Sequence, residues 1–233
     1  MKRMKYMPSI DKIYSIFYLG GMEQTIGLDL IHNFFGMFSA RTWLHLKLVK
    51  DGAFRLNETT ITQNLVKDFW IESKLYEFPI KIYESANEKV NGNDLEILIE
   101  TARGSIMLPI QVKVIEDTDK YSGITHVVRE IQQIDLLIDY AIQKKGIPAY
   151  IFYNYYNDDN FEEYVSNHFS QYSVEEFGCT IGSAINIGRA FLKEGGLKRW
   201  QVPSFEDIHM PARFAVPLHL AFGNPNVYMA ADR

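Results

Sequence analysis

The sequence predicts an α/β fold with a central mixed sheet flanked by helices, on three observations. Apolar residues recur at helical spacing early in the chain and again past its middle. Alternation with a period of two fills the stretch between. A strand-length run that is apolar on both faces follows the second helix. The resulting order of helix, strand, strand, strand, helix, strand requires a crossover, and a crossover places helices against a sheet.

Residues 9–50 read as helical with a break at Gly20-Gly21. Leu28, Ile31, Phe34, Phe35, Phe38, Trp43 and Leu46 fall at roughly helical spacing there. Asp51-Gly52 marks a turn. Asn57 occupies an N-cap position with Thr60 three residues on, and the helix runs through Ile61, Leu65, Phe69 and Trp70. Residues 80–84 alternate as a strand. Asn91-Gly92-Asn93 signals a turn, residues 94–100 a strand, and Ala102-Arg103-Gly104-Ser105 the next turn. Residues 107–114 form a further strand, in which Pro109 argues against a central place unless it lies near the start or at a bulge. Residues 127–144 read as the clearest helix, with Val127, Ile131, Ile134, Ile138 and Ala141 as its apolar stripe. Gly146-Ile147-Pro148 ends it, and residues 149–153 form a strand buried between layers. Residues 161–170 and 181–193 read as helical, and Pro203, Pro211, Pro217 and Pro225 make the tail irregular. No linker, repeat or low-complexity stretch interrupts the chain. Residues 1–233 are therefore read as one domain, with an N-terminal helical region at 1–50, a core at about 57–155 and a C-terminal extension at 156–233.

The 233 residues carry a formal charge of −5, which argues against a broad basic coat for non-specific nucleic-acid binding but leaves room for a local basic cleft. Lys2, Arg3 and Lys5, Lys144 and Lys145, and Lys193, Lys198 and Arg199 form basic bunches that read as solvated surface. The single cysteine, Cys179, excludes an internal disulfide and a thiolate metal cluster. It lies between Gly178 and Gly182 on what reads as a small-residue helix, as a buried structural thiol. The six histidines show no metal-ligand spacing. No apolar run approaches the ~20 residues needed to cross a bilayer, and no secretory signal is evident, so a cytoplasmic protein that does not engage membranes is expected.

Asp94 and Glu96 lie two apart on one predicted strand and share a face; Gln111 and Lys113 do so on the next. If the two strands pair, four polar groups converge on one side, while Leu95, Ile97, Ile110, Val112 and Val114 face the core. Lys and Asp are seldom buried unless paired or bound to something. Two carboxylates and an amide oxygen form a hard oxygen site suited to Mg²⁺. A lysine beside them can orient a water or neutralise developing charge, as metal-assisted phosphodiester hydrolysis requires.

The run Gly92-Asn93-Asp94, a turn, then Gln111-Val112-Lys113 resembles the PD-(D/E)xK superfamily. The resemblance covers about residues 57–155. It implies a restriction endonuclease-like three-layer core, with the central mixed sheet flanked by helices. Asn93 stands where the family has proline. Gln111 stands for the second acid, a QxK variant similar to Mrr-like modification-dependent restriction enzymes, which are regarded as active. The stretch QIDLLIDYA…PAYIFYN also resembles an uncharacterised bacterial family with the same core. The resemblance implies Asp94, Glu96, Gln111 and Glu58 as ligands of Mg²⁺ or Mn²⁺, with Lys113 positioning the water. Glu58 matches the family's acid on the helix before the first core strand, with Glu72, Glu84 and Glu88 as competitors. Gln133, rather than Gln132, matches its glutamine on the helix after the lysine strand. A Mg-dependent endonuclease acting on DNA, in bacterial defence against foreign DNA, is the expected function, with a homodimer or a partner subunit. The alternatives are a catalytically weak or inactive module of the same fold that binds nucleic acid or a protein, and a scaffold subunit.

Overall fold

Two long helices build one outer layer. Helix α1 (Thr25–Lys50) buries Ile31, Phe35, Phe38, Trp43 and Leu46, while Phe34 packs partly buried beside them. Helix α2 (Glu58–Leu75) starts where Asn57 accepts a 2.8 Å hydrogen bond from the Thr60 N–H, and it buries Ile61, Leu65 and Phe69. The computed structural model describes residues 25–101, 104–115, 121, 124, 126–128, 130–156, 159–168, 170–193 and 216–223. The expected helix over 9–24, the basic groups at Lys2, Arg3, Lys5, Lys198 and Arg199, and Pro203, Pro211 and Pro225 lie outside those residues.

The chain continues through β1 (Ile80–Glu84), a one-turn helix α3 (Glu88–Asn91), β2 (Leu95–Thr101) and β3 (Gly104–Val114). A short hairpin of β4 (Val127–Val128) and β5 (Ile131–Gln132) leads into α4 (Gln133–Lys144) and β6 (Ala149–Tyr153). Then follow α5 (Asp159–His168), a 3₁₀ turn (Val174–Gly178), β7 (Cys179–Ser183), α6 (Ala184–Lys193), β8 (Val216–Pro217) and α7 (Leu218–Phe222). The main sheet has the order β1-β2-β3-β6-β7-β8. All neighbours are antiparallel except β3 and β6, which run parallel because α4 carries the chain back across the sheet.

Side-chain parity divides the sheet into two faces. Ile82, Ile97, Leu108 and Ile110, with Val112, Ile151, Tyr153 and Cys179, point to the face covered by α1 and α2. Phe38 lies 6.5 Å from the Tyr153 ring, and the Thr62 and Tyr153 hydroxyls lie 3.1 Å apart. Glu96, Gln111, Lys113, Tyr150 and Phe152 point to the other face, where α4 and α6 pack. The expected α/β architecture, with a mixed sheet between helical layers, is the one observed.

Four local expectations change. The helix expected over 127–144 begins only at Gln133, because Glu130 adopts φ 70 in the hairpin turn and breaks any helix there. Val127 and Ile131 are accordingly exposed, and the buried stripe is Ile134, Leu137 and Ala141. The helix expected over 181–193 begins at Ala184: residues 179–183 are β7, which takes the second edge of β6. Cys179 therefore sits in a strand, where burial pushes its thiol up to about 12. Residues 104–106, expected in a turn and its exit, are already the start of β3. Pro109 is central after all. The Met107 carbonyl accepts from Ile147 N on the β6 side, and β6 pairs only from Ile110 onward, so the proline's missing N–H faces the loop before β6.

Gly178 permits the closest approach between layers. A Cβ there would overlap the Ser39 carbonyl oxygen and lie 2.8 Å from Trp43 N on α1. Gly178→Ala must push α1 off the sheet edge. We expect a loss of about 2–3 kcal/mol, near the upper range for overpacking, seen as a lowered midpoint in urea unfolding; an unchanged midpoint contradicts the packing described.

Candidate functional site

The site forms where β3 outruns β2. Ladder pairing between them ends at Leu95 with Ile110, and Asp94 N still reaches the Ile110 carbonyl at 2.8 Å. Strand β3 continues to Val114, paired with β6 on one edge only. The N–H groups of Val112 and Val114 point to the other edge, where no strand follows among the described residues. Two carboxylates meet them: Asp94 Oδ2 accepts from Val112 N at 2.6 Å, and Glu58 Oε2 from Val114 N at 3.2 Å.

Glu58 comes from the first turn of α2, where an acid also suits the positive helix end. Asp94 is placed by the turn before it. Gly92 has φ 70, and a Cβ on it would lie 2.6 Å from the Gln133 carbonyl oxygen and 2.8 Å from Leu137 N. That contact sets residues 92–94 against the start of α4, beside β3.

Between the carboxylates, Gln111 and Lys113 rise from the same strand on one face, 1% and 8% exposed. Gln111 Nε2 donates to Asp94 Oδ2. Its Oε1 is buried with no hydrogen-bond partner, and so is the hydroxyl of Tyr150, its cross-strand neighbour. Lys113 makes no direct ion pair among the described residues, yet its charge acts on both Glu58 and Asp94. Gln133, 4% exposed, donates to Glu88 Oε1 at 3.2 Å, so α4 holds this third acid at the rim. Glu88 itself is exposed to solvent, so the hollow opens on that side.

Crowding of acids in a half-dry site shifts their titration. Asp94 is pushed up to about 7: burial is the main cause, and Glu58 and Glu88 add to it against the Val112 N–H and Lys113. Glu58 is raised too, by burial first and by Glu88, while Lys113 and the Val114 N–H pull it down.

The structure thus gathers Glu58, Asp94, Gln111 and Lys113, with Gln133 one contact behind them. Glu96 is held apart. It accepts from the Tyr140 hydroxyl at 2.6 Å and from Asn93 Nδ2 at 3.3 Å, and it is not among the charges acting on Asp94. It sits inside the β2–β3 ladder opposite Pro109, whereas Asp94 lies just beyond the ladder's end. Glu88 takes the outer acidic position instead. In the sequence it stood only as a competitor of Glu58, beside Glu72 and Glu84. Among the described residues no group of three His, Cys, Asp or Glu side chains forms a ready metal cage. Here the donor set is two carboxylates plus an amide oxygen.

Fold and site define a mixed-sheet α/β protein with a recessed lysine and glutamine under two carboxylates. The chain belongs to a family described as a family of unknown function, DUF6615, whose model matches residues 31–226. That span takes in the sheet and every residue of the site. No curated protein matches the chain. Among the described residues no helix is long and apolar enough to cross a membrane.

The Asp94 shift has a consequence for stability. An unfolded aspartate titrates near 3.8 and the folded one near 7, so folding favours the protonated form. The stability this group contributes is complete below pH about 4 and is lost as pH rises to about 7. In the metal-free protein Asp94→Asn should remove that loss and raise stability at pH 8 by roughly 1–3 kcal/mol. Urea unfolding at pH 4 and pH 8 measures it, and a variant less stable than the parent at pH 8 contradicts the strain assigned here.

Proposed function

We propose that this protein is a metal-dependent nuclease that hydrolyses phosphodiester bonds in DNA. The observation that carries the reading is one hollow, open to water, holding two carboxylates of raised pKa, a buried amide oxygen without a partner and a recessed ammonium. An orphaned buried acceptor costs about 1–3 kcal/mol, and a carboxylate held near pH 7 is already poised to exchange its proton for a cation. These donors fit Mg²⁺ or Mn²⁺, both of which favour oxygen ligands.

Asp94, Glu58 and Gln111 Oε1 would hold the cation, with Glu88 at the rim. Such a cation supplies Lewis acidity toward a phosphate oxygen and lowers the pKa of a bound water. Lys113 offers its ammonium to the attacking water and to the charge that grows on the phosphoryl oxygens. Its lack of a direct ion pair leaves its donors available. Gln133 fixes Glu88, and the Val112 and Val114 N–H groups keep Asp94 and Glu58 aimed at the hollow. The helix-strand-strand-strand-helix-strand order, with β1-β2-β3-β6 adjacent in that sequence, supports the resemblance to the PD-(D/E)xK superfamily and its QxK variants. A role in defence against foreign DNA in the cytoplasm, as a homodimer or beside a partner subunit, comes with that resemblance. A module that binds nucleic acid or a protein without cutting is the second reading. It is favoured by the Gln111–Asp94 hydrogen bond, which already occupies one carboxylate oxygen.

Cleavage of DNA in Mg²⁺ or Mn²⁺ tests the first reading. Lys113→Ala and Asp94→Asn should each slow cleavage by roughly 10²–10³-fold, the size expected for one lost electrostatic stabiliser. By calorimetry, Mg²⁺ should bind more tightly as pH rises through about 7, and Asp94→Asn should abolish that rise. Cleavage that survives Lys113→Ala sinks the assignment; cation binding without cleavage supports the second reading.

A further inference from the structure

Beside the hollow, half of one sheet face has no helix over it among the described residues. Helices α4 and α6 cover β3, β6 and β7, whereas Lys81, Tyr83 and Glu100 on β1 and β2 are exposed. The open half is floored by Tyr83, Glu96 and Leu98 and walled by α4. It begins at Asp94, two residues from Glu96 on the same face.

Aromatic rings line this track, and each is fixed in place. The Trp70 indole N–H donates to the Ile82 carbonyl at 2.8 Å on the free edge of β1, and its ring meets Tyr83 at 5.9 Å. Trp70 and Tyr83 are 38% and 40% exposed. Across the floor, the Tyr140 hydroxyl is held by Glu96 at 2.6 Å. Ammonium groups stand over two of the rings: Lys74 is 5.3 Å from Trp70 and Lys144 is 5.7 Å from Tyr140. Lys89 and Lys145 are exposed nearby on α3 and just past α4. Of the acids on this floor, Glu100 pairs with Lys81 and Glu96 accepts from Tyr140.

We infer that this face binds a single-stranded or locally unpaired nucleic-acid segment, with bases stacked on Trp70, Tyr83 and Tyr140 and phosphates near Lys74 and Lys144. Three considerations favour an unpaired strand over a duplex. Exposed rings attract bases only when the base faces are free, and rings already fixed lose little entropy on stacking. The chain carries a net charge of −5, which disfavours the extended basic stripe with which duplex binders neutralise many phosphates. Lys113 and Gln111 lie recessed on the hollow's floor, where a flexible single backbone can bend inward and a stiff duplex cannot without distortion. The substrate class rests on the hydrolytic reading; the binding face does not need it.

The test is fluorescence anisotropy of 5′-labelled dT₂₀, U₂₀ and a 20-base-pair DNA duplex with the full chain, in EDTA so that nothing is cut. We expect dT₂₀ or U₂₀ to bind at least tenfold more tightly than the duplex, with the two single strands separating DNA from RNA. Tyr83→Ala and Tyr140→Ala should each weaken single-strand binding about tenfold, the size of one lost base stack. Tyr83 is exposed, so circular dichroism should show its variant folded. In a cleavage assay Tyr83→Ala should raise KM for single strands and leave kcat within twofold. A duplex bound as tightly as dT₂₀ and U₂₀, or single-strand affinity unchanged in both tyrosine variants, overturns the inference. Asp94→Asn should bind dT₂₀ at least as well as the parent. Single-strand binding without cleavage under Mg²⁺ or Mn²⁺ thus defeats the hydrolytic reading alone, and duplex cleavage without single-strand preference defeats this one alone.

Discussion

The site depends on an unfinished β-ladder. Because β2 starts opposite Ile110 while β3 runs on to Val114, two backbone N–H groups face an edge with no strand beside it among the described residues. Buried N–H groups demand acceptors. Asp94 and Glu58 answer that demand, and in doing so they are drawn out of water and toward each other. The same hydrogen bonds that orient the two carboxylates also lower their proton affinity, but less than burial raises it. Backbone satisfaction and acid strain are thus two sides of one arrangement, with Lys113 between them offsetting part of the repulsion. Charged groups held in a partly dry hollow without full pairing are the kind of local violation that folds concentrate at functional positions.

The rest of the molecule keeps this edge rigid. The α1 and α2 layer packs Phe35, Phe38 and Phe69 over the apolar face, and Tyr153 ties that layer to the sheet through Thr62. On the other side α4 performs two tasks. Its apolar stripe of Ile134, Leu137 and Ala141 is buried where the helix packs on β3, and its first residue, Gln133, reaches the rim of the hollow. The close approach of Gly92 to Gln133 and Leu137 joins these tasks, since the turn that aims Asp94 is packed on the helix that holds Glu88.

Much of this was legible from residue order. Period-two alternation located β1 and β2, a short run apolar on both faces located β6, and strand parity alone placed Gln111 and Lys113 on one face with Asp94. The N-cap at Asn57 marked the start of α2 and so the place of Glu58. The errors had physical sources. Val127 and Ile131 continue the stripe of α4 by coincidence of spacing, and only the left-handed backbone of Glu130 separates them from it. Strand β7 is short, preceded by Gly178 and interrupted by Gly182, so nothing local distinguishes it from a helix; its identity comes from the free edge of β6. Parity also put Glu96 beside Asp94, but parity says nothing about where a ladder stops. Glu88 was named only as a competitor of Glu58, and its place at the rim was not legible, because a one-turn helix has no period and its position is set by a tertiary contact with Gln133.

The offset between the two strands also works as a ruler. Were the β2–β3 hairpin to slip by two residues so that β2 reached Val112, a main-chain carbonyl would take over the N–H group that Asp94 now holds. The sheet would gain a regular rung, Asp94 would swing back to solvent, and Glu58 would be left alone at the Val114 N–H. A shorter hairpin would leave a further donor bare and the acids spread too far apart. How far one strand overhangs its neighbour, rather than the identity of any one side chain, therefore sets whether the two carboxylates can meet at this edge.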